Sequence, residues 1–186
     1  MSSLFVFKVT GVSPILMNNP ASMARGGQKL EMKKVDTPED EAAAKVYRLK
    51  SGQLYIPSIA FRSSIIGARG GASGKKIGKM TANTAVSAGA FTVENECPLY
   101  DPETGEEIHE YEIHSCRAVV QRAGIIRSRP MVSRWGCDVV FDVDQDYITV
   151  DMLEKLLLAS GKVAGVMDYR PQCKGPFGRY SAELKK

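Results

Sequence analysis

Residues 135–143 alternate strictly between two kinds of side chain. Trp135, Cys137, Val139, Phe141 and Val143 fall on one side. Gly136, Asp138, Val140 and Asp142 fall on the other. A period of two sustained this long is a strand with one buried face and one face toward water. Such a strand belongs in an antiparallel sheet covered on one side only. The rest of the chain must therefore supply neighbouring strands and helices to cover them.

Residues 4–12 supply one neighbour. Leu4, Val6 and Lys8 alternate with Phe5, Phe7 and Val9, and the bulky β-formers predict a central strand closed by Gly11 and Ser13-Pro14. Residues 90–93, 111–120, 125–133 and 179–184 read as further strands. Pro57-Ser58 opens a helix whose apolar side is Ile59, Ala60, Phe61, Ile65 and Ile66, with Arg62 and Arg69 pointing elsewhere and Gly70-Gly71 ending it. Thr149 caps a last helix with the buried stripe Val150, Leu153, Leu156, Leu157 and Val163, ended by Gly161 and Gly165. Thr37-Pro38-Glu39-Asp40 starts a short extra helix reaching about Tyr47. Residues 17–35 show no period and read as a loop. Asp101-Pro102-Glu103-Thr104-Gly105 is a turn.

The core order is strand, helix, strand, strand, helix, strand. That is an α+β fold of the ferredoxin-like βαββαβ plan with long inserted loops and hairpins, the architecture of RNA-recognition domains. At 186 residues the chain suits one domain, 1–186, with a basic finger insert near 70–89 and an acidic hairpin near 94–112. No apolar run is long enough to span a bilayer, and residues 1–10 alternate instead of forming a signal peptide. The expectation is a cytoplasmic protein without a membrane partner.

Charge is sorted along the chain. Residues 42–93 hold no Asp or Glu, yet include Lys45, Arg48, Lys50, Arg62, Arg69, Lys75, Lys76 and Lys79. Residues 113–137 repeat this with Arg117, Arg122, Arg127, Arg129 and Arg134. Acids collect in 94–112 and 138–154. The net charge of +4 hides the separation. Two acid-free stretches brought together make a positive face, whose default partner is a polyanion.

The segment 70–79 lacks the GxxxxGK[ST] spacing of a P-loop and follows a helix, so it reads as a basic finger on a phosphate backbone. A solvated lysine loop is the competing reading. Arg127 and Arg129 are two apart and share a strand face. Phosphate contact competes for them with salt bridges to the acidic segments. The tail 167–180 mixes Gly, aromatic and basic residues: Tyr169 and Phe177 offer stacking faces, and Arg170, Lys174 and Arg179 offer phosphate contacts.

Enzyme signatures are weak. Ser63 and Ser64 lie in no GxSxG turn. His109 and His114 sit in an acidic segment that reads as exposed. Asp138, Asp142, Asp144 and Asp146 suit a solvated edge more than a Mg²⁺ site. Cys97, Cys116, Cys137 and Cys173 form no CxxC pair, so they read as free thiols of a reducing compartment and not a zinc site. No cofactor and no metal are expected.

The tail resembles the glycine-rich loop of the RAMP superfamily, which includes the backbone subunits of CRISPR effector complexes. The run Tyr55-Ile56-Pro57-Ser58-Ile59-Ala60-Phe61-Arg62-Ser63-Ser64-Ile65-Ile66-Gly67 is similar to that superfamily's first-helix entry, with Ser58 where Gly is usual. The opening residues 9–17 and the run Asp168-Tyr169-Arg170-Pro171 are similar to a group of uncharacterised phage and prophage proteins. The resemblance implies a ferredoxin-like palm that binds single-stranded nucleic acid in a helical array. Some relatives cut RNA with a loop aspartate, and Asp36 lies in such a loop. Residues and resemblance together predict a non-enzymatic protein that coats a single strand, DNA or RNA, as a head-to-tail homo-oligomer of the phage replication or recombination type. Its expected contacts are Arg62, Arg69, Lys75, Lys76, Lys79, Arg117, Arg127, Arg129, Tyr169, Arg170, Lys174, Phe177 and Arg179. The alternatives are a metal-dependent nuclease of the same fold, using Asp36 or Asp142, and an assembly protein that self-associates through its charge blocks.

Overall fold

The computed structural model describes residues 2–21, 37–67, 74–120 and 123–185. Arg69, Arg122, Asp36, most of the loop 17–35 and the glycines at 70–71 lie outside them. The first half of the chain comprises β1 (Ser2–Gly11), β2 (Ile15–Leu16), α1 (Pro38–Lys45), β3 (Tyr55–Pro57), α2 (Ile59–Ile66), β4 (Lys76–Ile77), β5 (Met80–Thr81), α3 (Ala82–Gly89) and β6 (Ala90–Thr92). The second half comprises β7 (Glu96–Pro98), β8 (Glu112–Val120), β9 (Ala123–Val132), β10 (Gly136–Asp144), α4 (Val150–Val163) and β11 (Tyr180–Leu184), with a short 3₁₀ turn at Pro171–Cys173 before the last strand. The fold is mixed α+β with several antiparallel sheets.

The main sheet has the order β11-β1-β10-β6, every pair antiparallel. The alternation at 135–143 fits this place. Cys137, Val139, Phe141 and Val143 are fully buried and meet Val9, Phe7, Phe5 and Ser3 across the β1–β10 pair. Phe7 and Phe141 meet edge to face at 5.8 Å. Phe61 and Ile65 of α2, Ala85 and Val86 of α3, and Leu153, Leu156 and Leu157 of α4 close this core. Trp135 is buried beneath the start of the sheet, its indole N–H donating to Ser13 O at 2.9 Å. A Cβ on Gly11 would lie 2.4 Å from that indole nitrogen, so only glycine lets β1 pass.

Thr149 caps α4 as expected, accepting from Met152 N at 3.3 Å. The end of its stripe needs correction. Val163 is 51 % exposed, and Ser160 and Gly161 continue the buried face. From Leu157 the same face recurs three and four residues on, which selects 160 and 161 and turns 163 outward. Gly161 does not end the helix. It lies where a Cβ would meet Tyr180 O at 2.1 Å, so it sets how closely α4 approaches β11.

Within the region 70–89, the described residues 74–89 form regular structure. Its described part is a hairpin, β4–β5, turning at Gly78 (φ +58°), followed by α3. Thr81 caps α3 by accepting from Thr84 N, and Ala82, Ala85, Val86 and Gly89 are buried. Small residues carry little hydrophobic signal, which is why the pattern alone reads as loop.

A second sheet has the order β2-β9-β8. The β8–β9 hairpin pairs from Glu112↔Met131 to Val120↔Ala123. Helix α1 lies along the stretch of β9 that β2, paired only at Met131 and Val132, does not reach. Glu41 accepts from Ser128 N at 2.8 Å, and Lys45 Nζ donates to Ser128 O at 3.0 Å. Two side chains one helical turn apart thus take both backbone groups of Ser128, as a neighbouring strand would.

Candidate nucleic-acid interface

The tail from Gly165 to Gly178 is built on left-handed backbone. Gly165, Met167, Tyr169, Lys174 and Gly178 all have φ between +47° and +71°. For the three that are not glycine this conformation costs on the order of 1 kcal/mol each. Neighbouring strands hold it in place. Gly178 N donates to Pro14 O at 2.8 Å, Val166 N to Gly178 O at 2.8 Å, and Asp168 N to Leu16 O at 3.0 Å. Gly175 passes so close to Tyr169 that a Cβ would sit 1.7 Å from its carbonyl oxygen. Strain retained in a tightly bonded loop is a common mark of a ligand clamp.

The tail folds onto one face of the β8–β9 hairpin. Phe177 packs edge-on against His114 at 5.1 Å, and Tyr169 lies 6.1 Å from Phe177. Across the strand pair His114 faces Arg129, and Cys116 faces Arg127. Arg127 and Arg129 therefore share a face, as their spacing predicts. Arg129 Nε lies 2.5 Å from Asp168 Oδ2, and its Nη1 donates to Cys116 Sγ. His114 is not exposed in an acidic segment. It is half-buried under Phe177, and its Nδ1 is buried with no hydrogen-bond partner among the described residues.

The structure thus brings together Arg129, Tyr169 and Phe177 from the expected set, and adds His114 and Asp168. Arg170 adjoins them. Its Nη1 donates to Met167 O at 2.8 Å and its Nε to Gln172 at 3.3 Å. Beside this cluster, between α2 and the tail, is a cavity of about 360 Å³ bounded by Asn18, Tyr47, Ile59, Ser63, Met167 and Arg170. No sequence pattern marks it, because its walls come from four separate segments.

The other expected residues divide into two groups. Some cations already have internal partners. Arg62 donates to Ala90 O at 2.8 Å and Ser87 O at 2.9 Å and lies over the Phe91 ring. Arg127 pairs with Glu41 at 3.2 Å; Arg134, which is outside the expected set, pairs with Asp101 and Glu103 at 2.9 and 2.6 Å. Burial of Glu41 acts to raise its pKa, but hydrogen bonds from Lys45, Ser128 N and Arg127 outweigh it and hold the carboxyl below the usual glutamate value. Lys75, Lys76, Lys79, Arg117, Lys174 and Arg179 are exposed, and none has a side-chain ion pair among the described residues. Arg117 projects from the hairpin face opposite to His114 and Arg129. The three lysines stand on the β4–β5 hairpin and its approach, a different element from the tail.

The remaining chemistry is quiet. No group of three or more His, Cys, Asp and Glu side chains among the described residues could hold a metal ion. Asp138 receives the Tyr100 hydroxyl at 3.3 Å and Lys185 Nζ at 2.7 Å, and Ser2 Oγ donates to Asp142. Burial, then the Asp138 charge, raises the Tyr100 hydroxyl pKa strongly. Ser64 Oγ is buried against the Tyr180 hydroxyl at 2.6 Å. The four cysteines are free. Burial beside Cys97 pushes the Cys137 thiol up, away from reactivity.

The described helices and the strained tail define a mixed α+β protein with a basic, aromatic corner. No family model and no curated protein matches the chain. No helix among the described residues is long and apolar enough to cross a membrane.

Proposed function

We propose that the protein binds single-stranded nucleic acid, DNA or RNA, without performing chemistry on it. The observation that carries this reading is the meeting of Tyr169 and Phe177 with the cationic β8–β9 hairpin, bordered by Arg170, Lys174 and Arg179. Aromatic faces stack on bases of any sequence, and exposed cations follow phosphates. Lys75, Lys76 and Lys79 around β4–β5 and Arg117 on the other face of the hairpin are further exposed cations in this reading, separate from the tail corner. Arg62, Arg127 and Arg129 are held by internal partners more than they reach out. The strand order β11-β1-β10-β6, with α2 and α3 before β6 and α4 before β11, supports a ferredoxin-like reading of the core and, with the tail, a relationship to the RAMP superfamily or to phage strand-coating proteins.

The protein acts as a head-to-tail homo-oligomer in this reading. Glu94, Glu106 and Glu110 are exposed on the acidic segment and suit the basic corner of a neighbour. Free thiols fit a reducing compartment such as the cytoplasm.

The test is a titration against single-stranded DNA, single-stranded RNA and duplex at several salt concentrations. Single strands should bind more tightly, with log K falling linearly in log salt by roughly 0.7 per phosphate neutralised. Equal affinity for duplex would remove the stacking role of Tyr169 and Phe177. Absence of binding at low salt would overturn the reading.

A further inference from the structure

Helices close the inner face of the main sheet, while the outer face stays open, with Leu4 64 %, Phe91 51 % and Val93 51 % exposed. The open side chains form a tile of two rows across β1, β10 and β6. Leu4, Asp142 and Phe91 stand side by side in register. Val6 and Val140 stand in the next row, where Val140 O accepts from Val93 N at 3.1 Å. Asp142, in the middle of the first row, accepts from the Ser2 hydroxyl and has no ion pair among the described residues. Asp138, by contrast, is held by Lys185 at 2.7 Å. Contiguous exposed apolar groups mark an interaction surface. With an unanswered carboxylate among them, the surface suits a partner that brings a cation set between apolar side chains.

Helix α4 carries such a surface on its far side. Leu153, Leu156, Leu157, Ser160 and Gly161 form its buried stripe. Lys155, Leu158, Ala159, Lys162 and Val163 form a second stripe at spacings of three and four residues, and all of them are exposed. Leu158 is 37 % exposed and Val163 51 %. Neither lysine has an ion pair among the described residues. Lys162 is the cation set between apolar groups, with Leu158 and Ala159 one turn before it and Val163 beside it. The stripe is about 12 Å long at the helical rise. The tile is about 10 Å across its three strands. One chain thus carries an apolar, acidic face on the open side of its sheet and an apolar, basic stripe on the outside of its helix layer.

We infer that the outer stripe of α4 in one copy docks on the open sheet face of the next, with Lys162 seated against Asp142 between Leu4 and Phe91. The two surfaces differ, so the contact is heterologous and repeats from copy to copy. It is small beside the roughly 20–30 residues a side of a standard interface. The contact is therefore weak in a single pair and gains strength where one strand lines up many copies. The inference rests on the head-to-tail reading above and names the surfaces that meet.

The test is sedimentation velocity on the full chain over a range of concentrations, alone and on a long thymidine strand. Leu4→Lys puts a cation beside Asp142 on the sheet face, and Leu158→Glu puts an acid between Lys155 and Lys162 on α4. Both positions are exposed, so both variants should fold, which circular dichroism and a melting curve check. The wild type should associate as concentration rises, and more strongly on the strand. Each variant should associate about tenfold more weakly in both settings. An equimolar mixture of the two should form a dimer and stop there. Only the intact helix of Leu4→Lys and the intact sheet face of Leu158→Glu are left to meet. A short strand that holds one copy should bind Leu158→Glu within about twofold of wild type, which separates assembly from strand binding. If the wild type associates and both variants match it, or if the mixture stays monomeric where the wild type associates, this contact is overturned while the head-to-tail reading stands. If the wild type stays monomeric alone and on the strand, both fall, and the cover of this face is a basic helix of another protein.

Discussion

The basic corner and the outer face of the main sheet are opposites in charge and in backbone. The corner carries Arg129 on β9, and Arg170, Lys174 and Arg179 on or next to a loop with five left-handed residues. The outer face carries Asp138, Asp142 and Glu183 on regular strands, with Lys8 lying between Asp138 and Glu183 in register. RNA-recognition domains stack bases on the aromatics of their exposed sheet. Here that surface is weighted toward carboxylates, and Phe91 is engaged by Arg62. If this chain holds a strand, the favourable path runs over the loop and hairpin. Strand order alone therefore does not locate a binding surface; the distribution of charge over the two sides of the sheet does.

The largest effect that would break this contrast is steric. Gly178 has φ +71°, and a Cβ there would lie 1.9 Å from Val166 O. Gly178→Ala should cost about 3 kcal/mol in urea unfolding. On the outer face Leu4, 64 % exposed, should tolerate Leu4→Thr within about 0.5 kcal/mol. Similar losses at both positions would mean that the tail is not specially constrained.

Tyr169 separates stability from binding. Tyr169→Gly should relieve its φ of +47° and stabilise the fold by about 1 kcal/mol. The same change should weaken single-strand binding by about 2 kcal/mol through loss of a stacking face. Opposite signs in a thermal melt and in a binding titration are the expected pair of results.

Glu41→Gln sharpens the hairpin side of the contrast. The folded carboxyl titrates below its unfolded value, so its ionised form adds stability above the ordinary glutamate pKa of about 4.3, and that stability is lost as pH falls through the folded value. The substitution should cost about 1 kcal/mol at neutral pH, with the difference from wild type shrinking in more acidic buffer. A constant difference across that range would show that the Lys45 and Arg127 charges contribute little. The smallest expected change is in Lys174→Gln, which should reduce the salt slope of single-strand binding by about 0.7, while Glu183→Gln leaves it unchanged or steeper.

The alternation at 135–143 was legible because a strand buried on one face writes its burial directly into the chain. Thr149 and Thr37 were legible as caps for a similar reason: the interaction is local. The corner was only half legible. Arg127 and Arg129 could be placed on one face from their spacing, but their carboxylates come from α1 and from the tail. His114 looked solvated beside Glu110 and Glu112, because nothing nearby announces Phe177 as its cover. Helix α3 was missed since Ala82, Ala85 and Gly89 bury too little surface to set a period. The cavity was invisible, being shaped by segments that meet only in the folded chain.

The grip of α1 on Ser128 has a consequence for solubility. A bare strand edge offers its N–H and C=O groups to any other extended chain, and that is how sheets propagate into aggregates. Here Glu41 and Lys45 occupy those groups at Ser128, so the helix serves as a guard on the rim of β9. Removing the guard with Glu41→Ala and Lys45→Ala would leave the core untouched, yet light scattering on warming should rise earlier than the loss of secondary structure.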